Sequence, residues 1–304
     1  MKNFLISIVA AVLGFLLGWW GGNYNWLAGI PVSLFLFILF YFILARRSFN
    51  KLSELSQGIM GIMQQAQVQQ DPEHQIQAID QAVTLFTNGL SLGKEQFLIR
   101  STLHSQIGTM HYQAAGLFLQ LRLRESVQGS KIKANKYKSK AKERYAQAKL
   151  HFQEFYRYPW QVWFTRNWQA VAMMAAIDYR EGKKDSALKQ LDDVKGPGGS
   201  DLLYYGIYGW LLHQCGQSDK ALIILSEGVE KNGSSEALKG MLASIQNKKE
   251  IDVTLFGMNW FSFFPEQLDQ KMIMRMQSQM MENQPNGAQN LNRAQRRALK
   301  KQKR

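Results

Sequence analysis

Hydrophobic residues fall into three patterns along the chain. Residues 4–20 and 27–45 are uncharged apolar runs of 17 and 19 residues, each close to the roughly 20 residues a helix needs to cross a bilayer. Between them Gly21, Gly22, Asn23, Tyr24 and Asn25 supply turn chemistry, and Trp19, Trp20, Tyr24 and Trp26 cluster where interfacial aromatics lie. The pattern predicts a transmembrane helical hairpin over residues 1–47. A cleaved signal peptide is the rival for the first run, but residues 18–21 are bulky where a cleavage site wants small side chains. Pro31 falls in the first turn of the second run, where a helix tolerates it.

The second pattern begins after a juxtamembrane helix or linker at 48–70. Residues 71–250 show no sustained strand alternation; their apolar residues recur at helical spacing, with glycine-containing breaks. Gly182, Ala187 and Leu191 return as Gly216, Ala221 and Leu225, each displaced by 34 residues, and Ala175 returns as Gly209 at the same displacement. Glycine permits a turn, and a small residue at a crossing lets two helices approach. The unit predicted is a helix pair, and the fold class all-α.

These residues resemble the tetratricopeptide repeat family, whose period is 34. Its second-helix spacing also occurs in Ala141, Tyr145 and Ala148 and in Ala82, Phe86 and Gly89, and its first-helix character in Ile107, Gly108 and His111. The resemblance covers about residues 71–249. The family's closing proline is absent, with Gly199 and Gly233 in its place, and its opening aromatic is Val171 in one unit and Tyr205 in the next. The upstream units depart from the 34-residue register, partly because the basic stretch around Lys131 lengthens one connection. What the resemblance implies is an α-solenoid with a concave face that holds a peptide or protein partner. Envelope-assembly adaptors join such repeats to an N-terminal membrane anchor; one group of them ends in a four-cysteine metal module, which a chain with one cysteine cannot build.

The third pattern is a dense aromatic stretch at 255–264, opening a segment at 251–290 expected to cap the repeats, with insertion at the lipid interface as the alternative. Met272 to Met281 reads as a packing or self-association helix. A second aromatic group, Trp160, Trp163, Phe164 and Trp168, reads either as core or as a partner-binding hot spot.

Charge changes the picture through its placement. The net +14 divides between residues 131–149, with eight basic residues and one acid, and the tail 291–304, with seven basic residues and none. The remainder is neutral, so the body is not a basic surface. The tail residues Arg293, Arg296, Arg297, Lys300, Lys301, Lys303 and Arg304 suit anionic lipid heads. An RNA- or ribosome-associated role through the basic segments is the alternative, though interleaved aromatics for base stacking are sparse. Lys2, Arg46, Arg47 and Lys51 flank the hairpin while its loop is uncharged, which predicts both termini on the cytoplasmic side of an inner (plasma) membrane.

Candidate chemistry adds little. His104 and His111 share a helix face but lack the partners of a zinc site, Gly196 to Ser200 lacks the context of a phosphate loop, and Asp192, Asp193, Glu227 and Glu230 read as surface carboxylates. No catalytic residue, cofactor or metal is expected. The expected function is a membrane-anchored adaptor that binds a protein partner.

Overall fold

A computed structural model describes residues 2–22, 26–68, 71–95, 97–233 and 235–268, and among these no strand occurs. The basic tail and the methionine-rich segment lie outside the described residues.

Helices α1 (Lys2–Gly21) and α2 (Trp26–Val68) form an antiparallel hairpin in which both are long and apolar enough to cross a membrane. Their outer surfaces are exposed leucine, phenylalanine, isoleucine and valine, as at Leu13, Leu17, Leu34, Phe35 and Phe42. A core helix of a soluble body would cover such side chains. The buried stripe of α1 is small or polar instead: Asn3, Ser7, Ala10 and Gly14. A methyl group added at Gly14 would lie 2.7 Å from Leu36, and one at Gly29 2.8 Å from the Phe15 carbonyl oxygen. Small residues thus bring the two backbones together, as in helix pairs within lipid.

No flexible joint separates α2 from the body. Its 43 residues form one helix, roughly 65 Å long at 1.5 Å per residue, so the segment expected as a helix or linker at 48–70 continues the second apolar run as helix through Val68. The start of α1 is fastened beside it. The Asn3 backbone N–H donates to the Glu95 carbonyl at 3.1 Å, and its side-chain amide donates to Ser48 at 3.0 Å and to the Leu44 carbonyl at 3.3 Å. Ser48 and Lys51 both donate to the Glu95 carboxylate.

Helix α3 (Pro72–Gly89) returns toward the hairpin. Asp71 caps its first turn, and Ala82 and Phe86 are buried against Leu52, Ile59 and Leu103. Next come two long helices, α4 (Phe97–Val127) and α5 (Lys131–Tyr156), turned by Gly129 at φ +80°. Gly108 meets the Phe152 ring at this crossing, and Ala141 and Ala148 are buried. The expectation that the stretch at Lys131 lengthens a connection is corrected here: it is the first turns of α5. Alanine, lysine and arginine are strong helix formers, and nothing from 131 to 156 breaks the helix.

After the short α6 (Pro159–Thr165) follow the pairs α7 (Trp168–Arg180) with α8 (Lys184–Asp193) and α10 (Leu202–Gln214) with α11 (Ser218–Asn232). The single turn α9 (Lys195–Gly198) stands between them. Gly182 and Gly216 both sit at φ +80°, and their turns repeat bond for bond at 34 residues: Lys183 donates to the Asp178 carbonyl at 2.8 Å, and Gln217 to the Leu212 carbonyl at 2.9 Å. This six-to-one bond closes a helix end whose next residue is left-handed, a conformation glycine adopts without strain. Ala187, Leu191, Ala221 and Leu225 are fully buried, and Gly209 lets Leu225 approach.

Contacts between helices set their directions. Met63 and Ala66 of α2 share a cavity with Tyr112 and Gly116 of α4, so α4 runs beside α2 in the same sense. Asn167, the cap of α7, donates to Ser105 near the start of α4, while Arg180 at the other end of α7 reaches Tyr112. Trp168 meets Tyr204 and Tyr179 meets Trp210, so α10 is parallel to α7. The turns at Gly129, Gly182 and Gly216 therefore lie at the edge away from the apolar hairpin, the distal edge. Helices α6 and α9 lie at the proximal edge.

The chain closes with α12 (Glu236–Gln246) and a compact segment at 253–268 containing the single turn α13 (Met258–Phe261). Phe256, Trp260, Phe261, Phe263 and Phe264 are all buried. Trp260 and Phe264 pack on Trp210, Phe263 stacks on Trp168 at 6.0 Å, Phe256 covers Gly206, and Pro265 covers Gly116. The packed reading of this segment holds in a changed place, and its lipid-inserting alternative is set aside. The aromatic stretch is covered rather than offered to lipid, and it lies across α4, α7 and α10 together rather than over the end of the array.

Candidate functional site

The residues expected at a partner-binding aromatic site are divided by the structure. Trp168 is 3% exposed and packed between Tyr204 and Phe263, so it belongs to the core, a correction to its reading as a contact residue. Trp163 and Phe164 are exposed on α6. Trp160 lies in the same helix, its side chain outside what is described. The separation arises because Arg166 takes a left-handed conformation at φ 51° and ends α6, so Phe164 and Trp168, four residues apart, do not share one helical face.

The face made by α4, α7 and α10 is occupied by the chain's own residues 253–268. Arg180 fixes them there, donating to the Phe263 carbonyl at 2.6 Å, to both Glu266 carboxylate oxygens at 2.9 and 2.8 Å, and to the Tyr112 hydroxyl at 2.7 Å. An open surface is found elsewhere on the body.

Such a surface lies between α3, α4 and α5 near the distal edge, where a groove of about 690 Å³ opens. Ile76, Phe118 and Leu121 form its apolar floor, and Lys133, Lys136, Lys140 and Arg144 of α5 form one wall. Their spacings of three and four residues place these cations on one face of the helix. Glu73, Asp80 and Glu143 also line the groove, but two of these carboxylates are engaged: Arg144 pairs with Asp80 at 2.6 Å, and Tyr137 donates to Glu73 at 3.0 Å. Lys140 lies 5.3 Å above the Phe118 ring. Among the described residues, no ion pair engages Lys136 or Lys140. The sequence showed these lysines only as a local basic stretch; the missing signal was that α3 begins its return opposite them and supplies a second wall.

Beneath the groove, His104 and His111 of α4 meet His151 of α5. The Nδ1 atoms of His104 and His151 are 3.0 Å apart, so one ring donates and the other accepts. Burial, with His151 and Arg100 adding repulsion, holds His104 at a pKa of about 4. Burial, with Arg144 and His151, does the same for His111, and burial lowers His151. Above the ordinary histidine value of 6.5 these rings are neutral whether the chain is folded or unfolded, and their stabilising contacts are fully present. As pH falls from 6.5 toward 4, the unfolded chain takes up protons that the folded one resists, and stability drops by several kcal/mol in sum. Melting midpoints across this window should fall, and His104→Gln with His111→Gln should flatten the slope. A wild-type profile parallel to that of the double variant would contradict the assignment.

No family model, no curated protein and no solved structure matches this chain.

Proposed function

We propose that the protein is a membrane-anchored adaptor of tetratricopeptide-like build, held by its α1–α2 hairpin with both termini in the cytoplasm, which uses the α3–α5 groove to hold an acidic segment of a partner protein. The observation that carries the reading is the pairing of an apolar floor with a cationic wall, which suits a helix with an apolar stripe flanked by carboxylates. Position supports it. Phe118 stands 21 residues along α4 from Phe97, roughly 30 Å further from the hairpin. That exceeds the screening length of about 8 Å at physiological salt severalfold, so these charges act on something in the aqueous phase rather than on lipid heads. The repeated glycine turns and the buried positions 187, 191, 221 and 225 support the solenoid reading.

The test places a photo-crosslinking residue at Gln147 in the groove and, as a control, at Ile223 on the exposed face of α11, in cells making the full chain. A discrete protein adduct is expected from Gln147 alone, with the crosslinked segment rich in aspartate and glutamate. Lys136→Glu with Lys140→Glu should reduce the adduct about tenfold or more, since like charges then face each other. An adduct that nuclease removes would transfer the function to RNA, and equal adducts at both positions would remove the groove from the account.

A further inference from the structure

We propose that α6 and the proximal-edge loops beside it form a lipid-contacting foot, resting on the headgroup layer of the same bilayer that holds the hairpin and taking up anionic phosphate there. The inference rests on the reading of α1 and α2 as membrane spans, and it assigns a second membrane contact that lies outside both of them.

Placement comes first. The start of α4 is fixed beside the end of the second apolar run by the bonds among Asn3, Ser48, Lys51 and Glu95. The end of α5 is tied to the first turns of α4 by Glu154, which pairs with Arg100 at 3.8 Å and with Arg157 at 4.0 Å. Asn167, immediately after α6, is bonded to Ser105. Thus α6 is held between the levels of Arg100 and Ser105. The first of these stands beside Leu52, since Ile99 and Leu52 share one apolar cluster. Leu52 is seven residues beyond Ala45, the last residue of the apolar run, or about 10 Å along the helix. The headgroup layer occupies roughly 5–8 Å beyond the hydrocarbon, and an extended arginine or tryptophan side chain bridges the remainder.

Chemistry is the second ground. Tyr158, Trp163 and Phe164 are exposed by 50%, 58% and 77%, on a chain whose other large aromatic group, at 256–264, is buried. Arg157 lies 5.8 Å from the Tyr158 ring, and Arg166 follows α6. Aromatic rings flanked by arginine are the composition of a membrane interface, where the ring enters the boundary layer and the guanidinium meets phosphate. Beside them a cavity of about 410 Å³ is lined by Trp163, Arg166, Lys195, Ser200 and Lys231, with no carboxylate in its lining. Glu227 pairs with both Lys195 and Lys231 from outside it at 2.7 and 2.9 Å, so one carboxylate meets two lysines and Arg166 adds a further uncompensated charge. The α6 and α9 connections both lie at the hairpin side, so Trp163, which packs on Gly196, sits with Arg166 and Lys195 at one edge of the body.

The experiment uses the full chain with Cys215→Ser, reconstituted into phosphatidylcholine vesicles with and without phosphatidylglycerol. A single environment-sensitive label is placed by Phe164→Cys, by Val127→Cys at the distal edge, or by Leu39→Cys within the second apolar run, and quenched by spin-labelled lipid. The label at 164 should be quenched several-fold more by headgroup-level spin labels than the label at 127, and more strongly when phosphatidylglycerol is present. Arg157→Glu with Arg166→Glu should remove the phosphatidylglycerol increment without changing quenching at 39. Quenching at 39 with none at 164 overturns this proposal and leaves the spans in place. Absence of quenching at 39 overturns the spans, and the foot with them. Quenching at 164 indifferent to phosphatidylglycerol overturns the anion-binding part.

Discussion

Replacing Arg180 with alanine is expected to destabilise the folded body by about 3–5 kcal/mol, the loss typical of removing one partner from a buried charged network. The guanidinium is engaged from every side. It donates to Glu266, the Phe263 carbonyl and the Tyr112 hydroxyl, and it lies 4.8 Å from the centre of the Tyr145 ring and 5.7 Å from that of Phe264. Burial alone would favour the neutral form, but the surrounding tyrosine hydroxyls and the Glu266 carboxylate reverse the balance and keep the charge in place. Without it, the Phe263 carbonyl keeps only the Tyr112 hydroxyl as donor, the Glu266 carboxylate loses both of its bonds from the guanidinium, and residues 253–268 lose much of what fastens them across α4, α7 and α10. Arg180→Lys should recover only part of the loss, because one ammonium cannot reproduce a fork that bonds both carboxylate oxygens. Denaturant unfolding of the full chain in detergent, together with protease cleavage between 253 and 268, gives the readout. An unchanged midpoint with an uncut segment would show that the aromatic contacts hold it unaided.

Ala221→Glu should be the other severe change, with a loss on the order of 4 kcal/mol or more, because it buries a carboxylate where no partner stands. Ala221 is fully buried, and it follows the turn at Gly216 in a helix that α10 approaches so closely that Gly209 has no room for a methyl group beside Leu225. Two residues along the same helix, Ile223 is 66% exposed, and Ile223→Glu should shift stability by no more than about 0.5 kcal/mol. Comparable thermal shifts from both substitutions would mean that the inward face of α11 is misassigned.

Both predictions bear on how far the chain could be read in advance. The hairpin was legible because helices long and apolar enough to cross a bilayer are marked by length and uniform apolarity alone, and both runs have them. The turns at Gly182 and Gly216 were legible too, since a left-handed residue at a helix end is a local demand that glycine meets, and the buried alanines and leucines follow it at helical spacing. At Lys248 the same turn closes with a non-glycine residue at φ 52°, and no sequence signal marked it.

The division between Phe164 and Trp168 was not legible, because helical periodicity predicts a face only within one helix and Arg166 ends α6 between them. Nor was the resting place of 253–268, where Phe263 meets Tyr112 across 151 positions of chain. Any sufficiently apolar surface could have covered those rings; the choice was made by the common direction of α4, α7 and α10, which lines up Gly116, Trp168, Gly206 and Trp210 along one face. The groove follows the same logic. Its lysines were plain in the sequence, but a row of cations becomes a binding wall only when a second helix stands opposite and an apolar floor lies between. Local order was set by patterns a few residues long, whereas the sites come from distant segments whose meeting depends on how the packed helices are turned relative to one another.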